Sequence, residues 1–161
     1  MKIVIDWQKP VQITRHKRLL FDRNDVPASI EEEPGVYFFS RVHGDSVEPF
    51  YIGRSNNIRA RLRVHLGSAK IREVLREVEE IKTVKKGTRC FSFGYLKPSK
   101  GSRDIDRVLA LTERYLIRKA LANGLVLIND HGTKFKTHDI SFNGSKYERE
   151  LFGRRAEIPF E

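Results

Sequence analysis

GVYFFSRVHGDSVEPFYIGRSNNIRARLRVH, residues 35–65, carries two strand signals and a helix signal in unbroken succession. The β-branched and aromatic run GVYFFSRV favours an extended chain. His43, Gly44, Asp45 and Ser46 supply a reversal, and VEPFYIG returns as a second strand, so the whole reads as a β-hairpin. Alternation along an extended backbone puts Tyr37 on one side with Phe39 and sends Val36 and Phe38 to the other; Phe50 and Ile52 likewise oppose Tyr51. A suitable register between the strands brings Tyr37 and Tyr51 close together. Ser55 then caps a helix starting near Asn56, whose buried stripe is Ile58, Leu62 and Leu66. Arg61 and His65 are four residues apart and share a neighbouring face of that helix.

Outward from the hairpin, MKIVIDW at the N-terminus suits a short edge strand or brace, and the segment up to Pro34 is turn-rich, punctuated by Pro27. A second helix is expected from about Ala69 to Ile81 on Ile71, Val74, Leu75 and Val78. CFSFGYL, Cys90 to Leu96, is the third strand candidate, and Pro98 to Gly101 connects it onward. Ile105, Val108, Leu109, Thr112, Leu116 and Ala120 recur at helical spacing from about Asp104 to Asn123, where Asn123-Gly124 is a stop. LVLIN follows as a short apolar run, NDHG turns the chain, and a short strand is expected around Asp139 to Phe142.

At 161 residues the chain suits one α/β domain with an ordinary core, filled from ten Phe, five Tyr and one Trp. A single cysteine, Cys90, excludes an intrachain disulfide or a multi-cysteine zinc site and favours an intracellular setting, cytoplasmic or nucleoid-associated. No apolar stretch is long enough to span a bilayer, so no membrane partner is expected. Net charge is +10, and residues 54–89 hold eleven basic side chains against four acidic ones, an excess that attracts phosphates. His16, His43, His131 and His138 are scattered without zinc-ligand spacing, Ser141 and Ser145 near His138 do not make a hydrolase triad, and no phosphate-loop motif is present.

The elements Gly35-Val36-Tyr37 and Tyr51-Ile52-Gly53, separated by a strand-turn-strand interval, are followed by Arg61 and His65 on a helix, Glu113 on a later helix in TERYLI, and Asn129 at the end of LVLIN. In this order they resemble the GIY-YIG nuclease superfamily over roughly residues 34–130. Val36 in place of the first isoleucine is a mild apolar exchange. The resemblance implies an α/β fold with a central three-stranded antiparallel sheet flanked by helices. It divides the chain into an N-terminal extension at 1–33 packed on or beside the core, a nuclease domain at 34–132, and a C-terminal extension at 133–161 placed to contact DNA.

What the resemblance implies for chemistry is a surface gathering Tyr37, Tyr51, Arg61, His65, Glu113 and Asn129. Glu113 is the expected ligand of one principal Mg²⁺ or Mn²⁺ ion, whose hard charge suits a carboxylate oxygen. Arg61 is expected to bind nonbridging phosphate oxygens. Tyr51 is the expected water-facing phenol, Tyr37 its close partner, and His65 an aid to proton transfer; a phenol needs an electropositive setting to act as a base near neutrality. Asn129 is expected to preserve hydrogen-bond geometry, and Gly35 and Gly53 to permit close backbone approach. Arg54, Arg59 and Arg63 are the candidate nucleic-acid contacts. The implied activity is metal-dependent hydrolysis of DNA, whether branched, damaged or sequence-specific, by an activated water, leaving 5′-phosphate and 3′-hydroxyl ends. A noncatalytic nucleic-acid-binding or assembly module is the main alternative and RNA cleavage a third. The residues do not choose between a lone chain, a homodimer and an enzyme directed by a recruiting protein.

Overall fold

The computed structural model describes residues 2–77, 85–98, 104–129 and 137–159. In chain order these form β1 (Ile5–Trp7), β2 (Val11–Gln12), β3 (Thr14–Arg15), β4 (Arg18–Leu19), β5 (Gly35–His43), β6 (Ser46–Ser55), α1 (Ile58–Gly67), α2 (Ala69–Leu75), β7 (Thr88–Leu96), α3 (Ile105–Ala122), β8 (Thr137–Ser141), α4 (Lys146–Phe152) and β9 (Arg155–Pro159). The chain divides into two compact units, 1–130 and 131–161. The second contains the antiparallel pair β8 and β9, with α4 between them in sequence. The boundary expected between 132 and 133 lies outside the described residues. No described helix is long and apolar enough to cross a membrane.

The first unit is a mixed α/β fold on a central antiparallel sheet with helices against it. Its sheet has five strands rather than three. β6, β5 and β7 form the long part, and β1 and β2 both pair with the other edge of β7. The physical reason is that nine-residue β7 has an edge left over after pairing β5, and the N-terminal segment satisfies those backbone groups. That segment also contributes to the core: Ile13, Val26 and Ile30 are buried with Tyr37, Phe39, Phe91 and Phe93.

Strand alternation separates two faces. Tyr37, Phe39, Phe91 and Phe93 point toward α1 and α2, whose buried residues Ile58, Leu62, Leu66, Ile71, Val74 and Leu75 join the same core. Val36, Phe38 and Ile52 take the opposite face, the side where Ile5 and Trp7 lie beside Leu111 and Tyr115 of α3. On α3 Val108, Leu109 and Ala120 are buried as expected and Thr112 and Leu116 partly so; Ile105, at the first turn, is exposed instead, and Ile117 joins the buried stripe.

Three further expectations change on contact with the fold. Phe50 does not oppose Tyr51, because a bulge between the Phe39 and Ser40 pairings leaves Phe50 without a cross-strand partner and turns it onto the Tyr51 side, where both rings meet Phe39. Pro49 marks the spot: it has no N–H to pair and sits on an edge strand, where the omission is cheap. The cap of α1 is Asn57, whose side chain accepts from the Ala60 N–H at 2.8 Å, while Ser55 is occupied in a turn with the Asn57 backbone. α2 stops at Leu75, because Glu77 turns to φ 54° and accepts the Gly87 N–H at 2.7 Å. The last part of that expected helix, 78–81, lies outside the described residues.

Candidate active site

Tyr37 lies on the central strand β5 and is 1% exposed. Its hydroxyl stands 2.7 Å from His65 Nε2 and accepts a hydrogen bond from Arg61 Nε at 3.2 Å. If the phenol, while accepting from Arg61, donates its own hydrogen to Nε2, the neutral histidine carries its proton on Nδ1. Burial, foremost, raises the Tyr37 phenol well above its ordinary pKa, even though Arg61 pulls the other way. Burial, with the Arg61 charge second, pushes His65 down to about 4. At neutral pH the pair is therefore a protonated phenol on a neutral imidazole.

Tyr51 completes the aromatic part. The register pairs Phe39 with Tyr51 and Tyr37 with Gly53, so Tyr37 and Tyr51 are diagonal neighbours with ring centroids 6.4 Å apart and planes at 21°. Tyr51 also packs edge-on to His65 at 5.0 Å. It is partly buried, whereas Tyr37 is buried. The Tyr37 hydroxyl, more than any other group, holds the Arg61 guanidinium in its charged form, and Tyr51 acts more weakly in the same direction.

Gly53 explains the tight fit. A Cβ built there would come within 2.4 Å of the Tyr37 hydroxyl oxygen and 2.5 Å of Cζ, so the absent side chain is the space the phenol fills. Gly35 does the same for backbone: a Cβ would come within 2.1 Å of the Gly94 carbonyl oxygen across the β5–β7 pair.

Glu113 comes from α3. It lies four residues after Leu109 and four before Ile117, both buried, and so stands on the stripe that faces the sheet. A carboxylate there needs a countercharge. Arg54, on the same face of the sheet as Val36, supplies it: Nε donates to Glu113 Oε2 at 3.1 Å. Burial still raises the Glu113 pKa; Arg54 chiefly, and Arg61 after it, oppose that rise. Glu113 is the weakest of the influences on the Tyr37 phenol, and its pair with Arg54 stands on the α3 face of the sheet, whereas Tyr37 projects toward α1.

No family model, curated protein or solved structure matches this chain.

The remaining candidates divide by what their side chains touch. Asn129 Oδ1 accepts the Ile52 N–H at 3.1 Å and its Nδ2 donates to the Ile52 carbonyl at 2.6 Å. Ile52 belongs to β6, the edge strand, so this amide acts as a one-residue substitute for a neighbouring strand beside Tyr51 and Gly53. Arg59, expected as a nucleic-acid contact, is engaged with backbone. Its Nη1 donates to the carbonyls of Pro27 at 2.7 Å and Ile30 at 2.9 Å, and its Nη2 to that of Val26 at 2.8 Å, which ties the N-terminal segment to α1. Arg63 is exposed but stands roughly 200° around α1 from Arg61 at helical spacing, away from the phenols. Of the three, Arg54 alone adjoins the cluster.

Sequence reasoning missed the Arg54–Glu113 pairing. Its signal was available: a lone carboxylate on an apolar helical stripe predicts a cation opposite. Among the described residues no group of three or more His, Cys, Asp or Glu could hold a metal ion. A carboxylate such as Glu113 outside any such group fits a hard ion that keeps most of its waters, as Mg²⁺ does, and does not fit a closed cage of protein ligands.

Proposed function

We propose that this chain is a GIY-YIG-type endonuclease that hydrolyses DNA phosphodiester bonds with one divalent ion. The observation that carries this reading is the Tyr37 hydroxyl held between Arg61 and His65, with Tyr51 stacked alongside and Glu113 within electrostatic reach. These groups come from a hairpin and two helices. A guanidinium tied to a buried phenol, with a second, partly buried phenol stacked beside it, is more than core packing requires, and the Arg54–Glu113 pair stands on the α3 face of the same strands.

In the proposed reaction Arg61, its Nε fixed on Tyr37, turns its remaining N–H groups to the nonbridging phosphate oxygens, where negative charge grows in the transition state. Tyr51 orients the attacking water, whose proton passes to solvent as its oxygen bonds to phosphorus and the bond to the 3′ oxygen breaks, and that oxygen takes up a proton from solvent. Tyr37 stays protonated and acts as the spacer that fixes both Arg61 and the neutral His65. Glu113 would hold Mg²⁺ or Mn²⁺, which would supply positive charge for the departing 3′ oxygen. Asn129 keeps β6 in register so that Tyr51 and Gly53 remain opposite Phe39 and Tyr37.

The decisive assay incubates linear, nicked, flapped and branched DNA, and RNA, with Mg²⁺, Mn²⁺ or EDTA, comparing the parent with a folded Glu113→Ala variant. Metal-dependent cutting by the parent alone is expected, with DNA preferred. Cutting that persists undiminished in the variant would remove Glu113 from the mechanism.

A further inference from the structure

Arg54 follows Gly53 directly, and its guanidinium engages Glu113 at 3.1 Å with 37% and 27% of the two side chains exposed. The register places this pair by construction: Arg54 lies across from Val36, so its side chain emerges on the face occupied by α3. A guanidinium and a divalent ion both seek carboxylate lone pairs. Around one carboxylate they also repel each other, since two positive centres a few ångströms apart cost energy in proportion to the product of their charges. Among the described residues Glu113 belongs to no group of three or more His, Cys, Asp or Glu that could hold an ion.

We propose that Arg54 is a latch on Glu113, competing with the divalent ion for its carboxylate and keeping metal affinity low in the free protein. The inference rests on the nuclease reading of the same site and deepens it. The latch explains how a half-buried carboxylate is kept charged before any ion arrives. It also gives Arg54 two positions, one on Glu113 and one released with its full charge beside the site where a phosphodiester is proposed to bind. Because binding free energies are reciprocal, whatever draws Arg54 away from Glu113 strengthens ion binding, and the ion in turn frees Arg54 for an anion.

The test is Mn²⁺ binding to the full chain at pH 8 without nucleic acid, followed by the electron paramagnetic resonance signal of free Mn²⁺, with circular dichroism to verify each fold. Arg54→Gln, which removes the competing charge and keeps polar length, is expected to bind Mn²⁺ about tenfold more tightly than the parent, the scale set by one unit charge acting across a partly solvated site. Arg54→Lys, which keeps the charge, is expected to stay near the parent, and Glu113→Gln to lose the site in either background. If Arg54→Gln binds no better than the parent while Glu113→Gln abolishes binding, the latch is wrong and the metal-ligand reading stands. An equal gain in Arg54→Lys also overturns the latch, because charge is then not the cause. If Glu113→Gln binds like the parent, both the latch and the metal role of Glu113 fall.

Discussion

The Tyr37 hydroxyl lies 2.7 Å from His65 Nε2 inside the core, so a strand and a helix that are 28 residues apart in sequence share one proton between two buried side chains. His65 is 5% exposed, and its other neighbours are the rings of Phe39 and Tyr51. Nothing acidic among these contacts compensates a positive imidazole. The consequence is a pH dependence of the fold itself.

Folded His65 titrates near 4, below the ordinary histidine value of 6.5, so the unfolded chain takes up the proton first. Its contribution to stability is complete above pH about 6.5, declines as pH falls toward 4, and is constant below that. The loss is on the order of 3 kcal/mol. Thermal melts from pH 8 to 3.5 on the parent and on His65→Gln measure it: the difference between the two curves should change across that window, and a flat difference contradicts the burial argument.

Tyr37→Phe keeps the ring and removes the hydroxyl, which leaves His65 Nε2 without its partner and releases Arg61 Nε. Stability is expected to fall by about 1–3 kcal/mol, the cost of an unsatisfied buried acceptor. Cleavage is expected to drop by about 10²-fold or more, because the guanidinium loses the bond that aims it. Denaturant melts and single-turnover cleavage separate the two effects. Wild-type turnover in a correctly folded variant would show that Tyr37 is core alone.

Gly53→Ala places a methyl group at the 2.4 Å approach to the Tyr37 hydroxyl. Overpacking of this kind costs about 1–3 kcal/mol and should move the phenol off His65. A double-mutant cycle with Tyr37→Leu is the check: if the clash is the cause, adding Ala at position 53 costs much less in the Leu background. Additive costs would locate the penalty elsewhere.

Asn129→Ala exposes both polar groups of Ile52 at the sheet edge. Water can replace part of what is lost, so the expected destabilisation is about 1–2 kcal/mol. Amide hydrogen exchange is the sharper readout. The Ile52 N–H should exchange much faster in the variant, while Phe39 and Phe93 in the sheet interior keep their protection. Unchanged exchange at Ile52 would mean that the Asn129 amide is not its protector.

The hairpin was legible because alternating aromatic and apolar side chains around a polar turn admit few other solutions, and the spacing of Ile58, Leu62 and Leu66 identified α1 for the same reason. Charge counting was less informative. Of the basic side chains between Arg54 and Arg89, Arg59 is consumed by three backbone carbonyls, and Arg89 is 1% exposed, donating to the carbonyls of Val74 and Lys85. A sequence records how many cations there are and not which way they turn.

The amino-acid order alone determined the local elements and the position of each polar group on them, because periodicity and turn chemistry act over a few residues. Register, the Pro49 bulge, the Asn129 clasp on Ile52 and the pairing of Arg54 with Glu113 were decided only in three dimensions. Each of these joins segments far apart in the chain or depends on how two strands slide past one another, and the energy that selects them exists only once the core has closed around Tyr37.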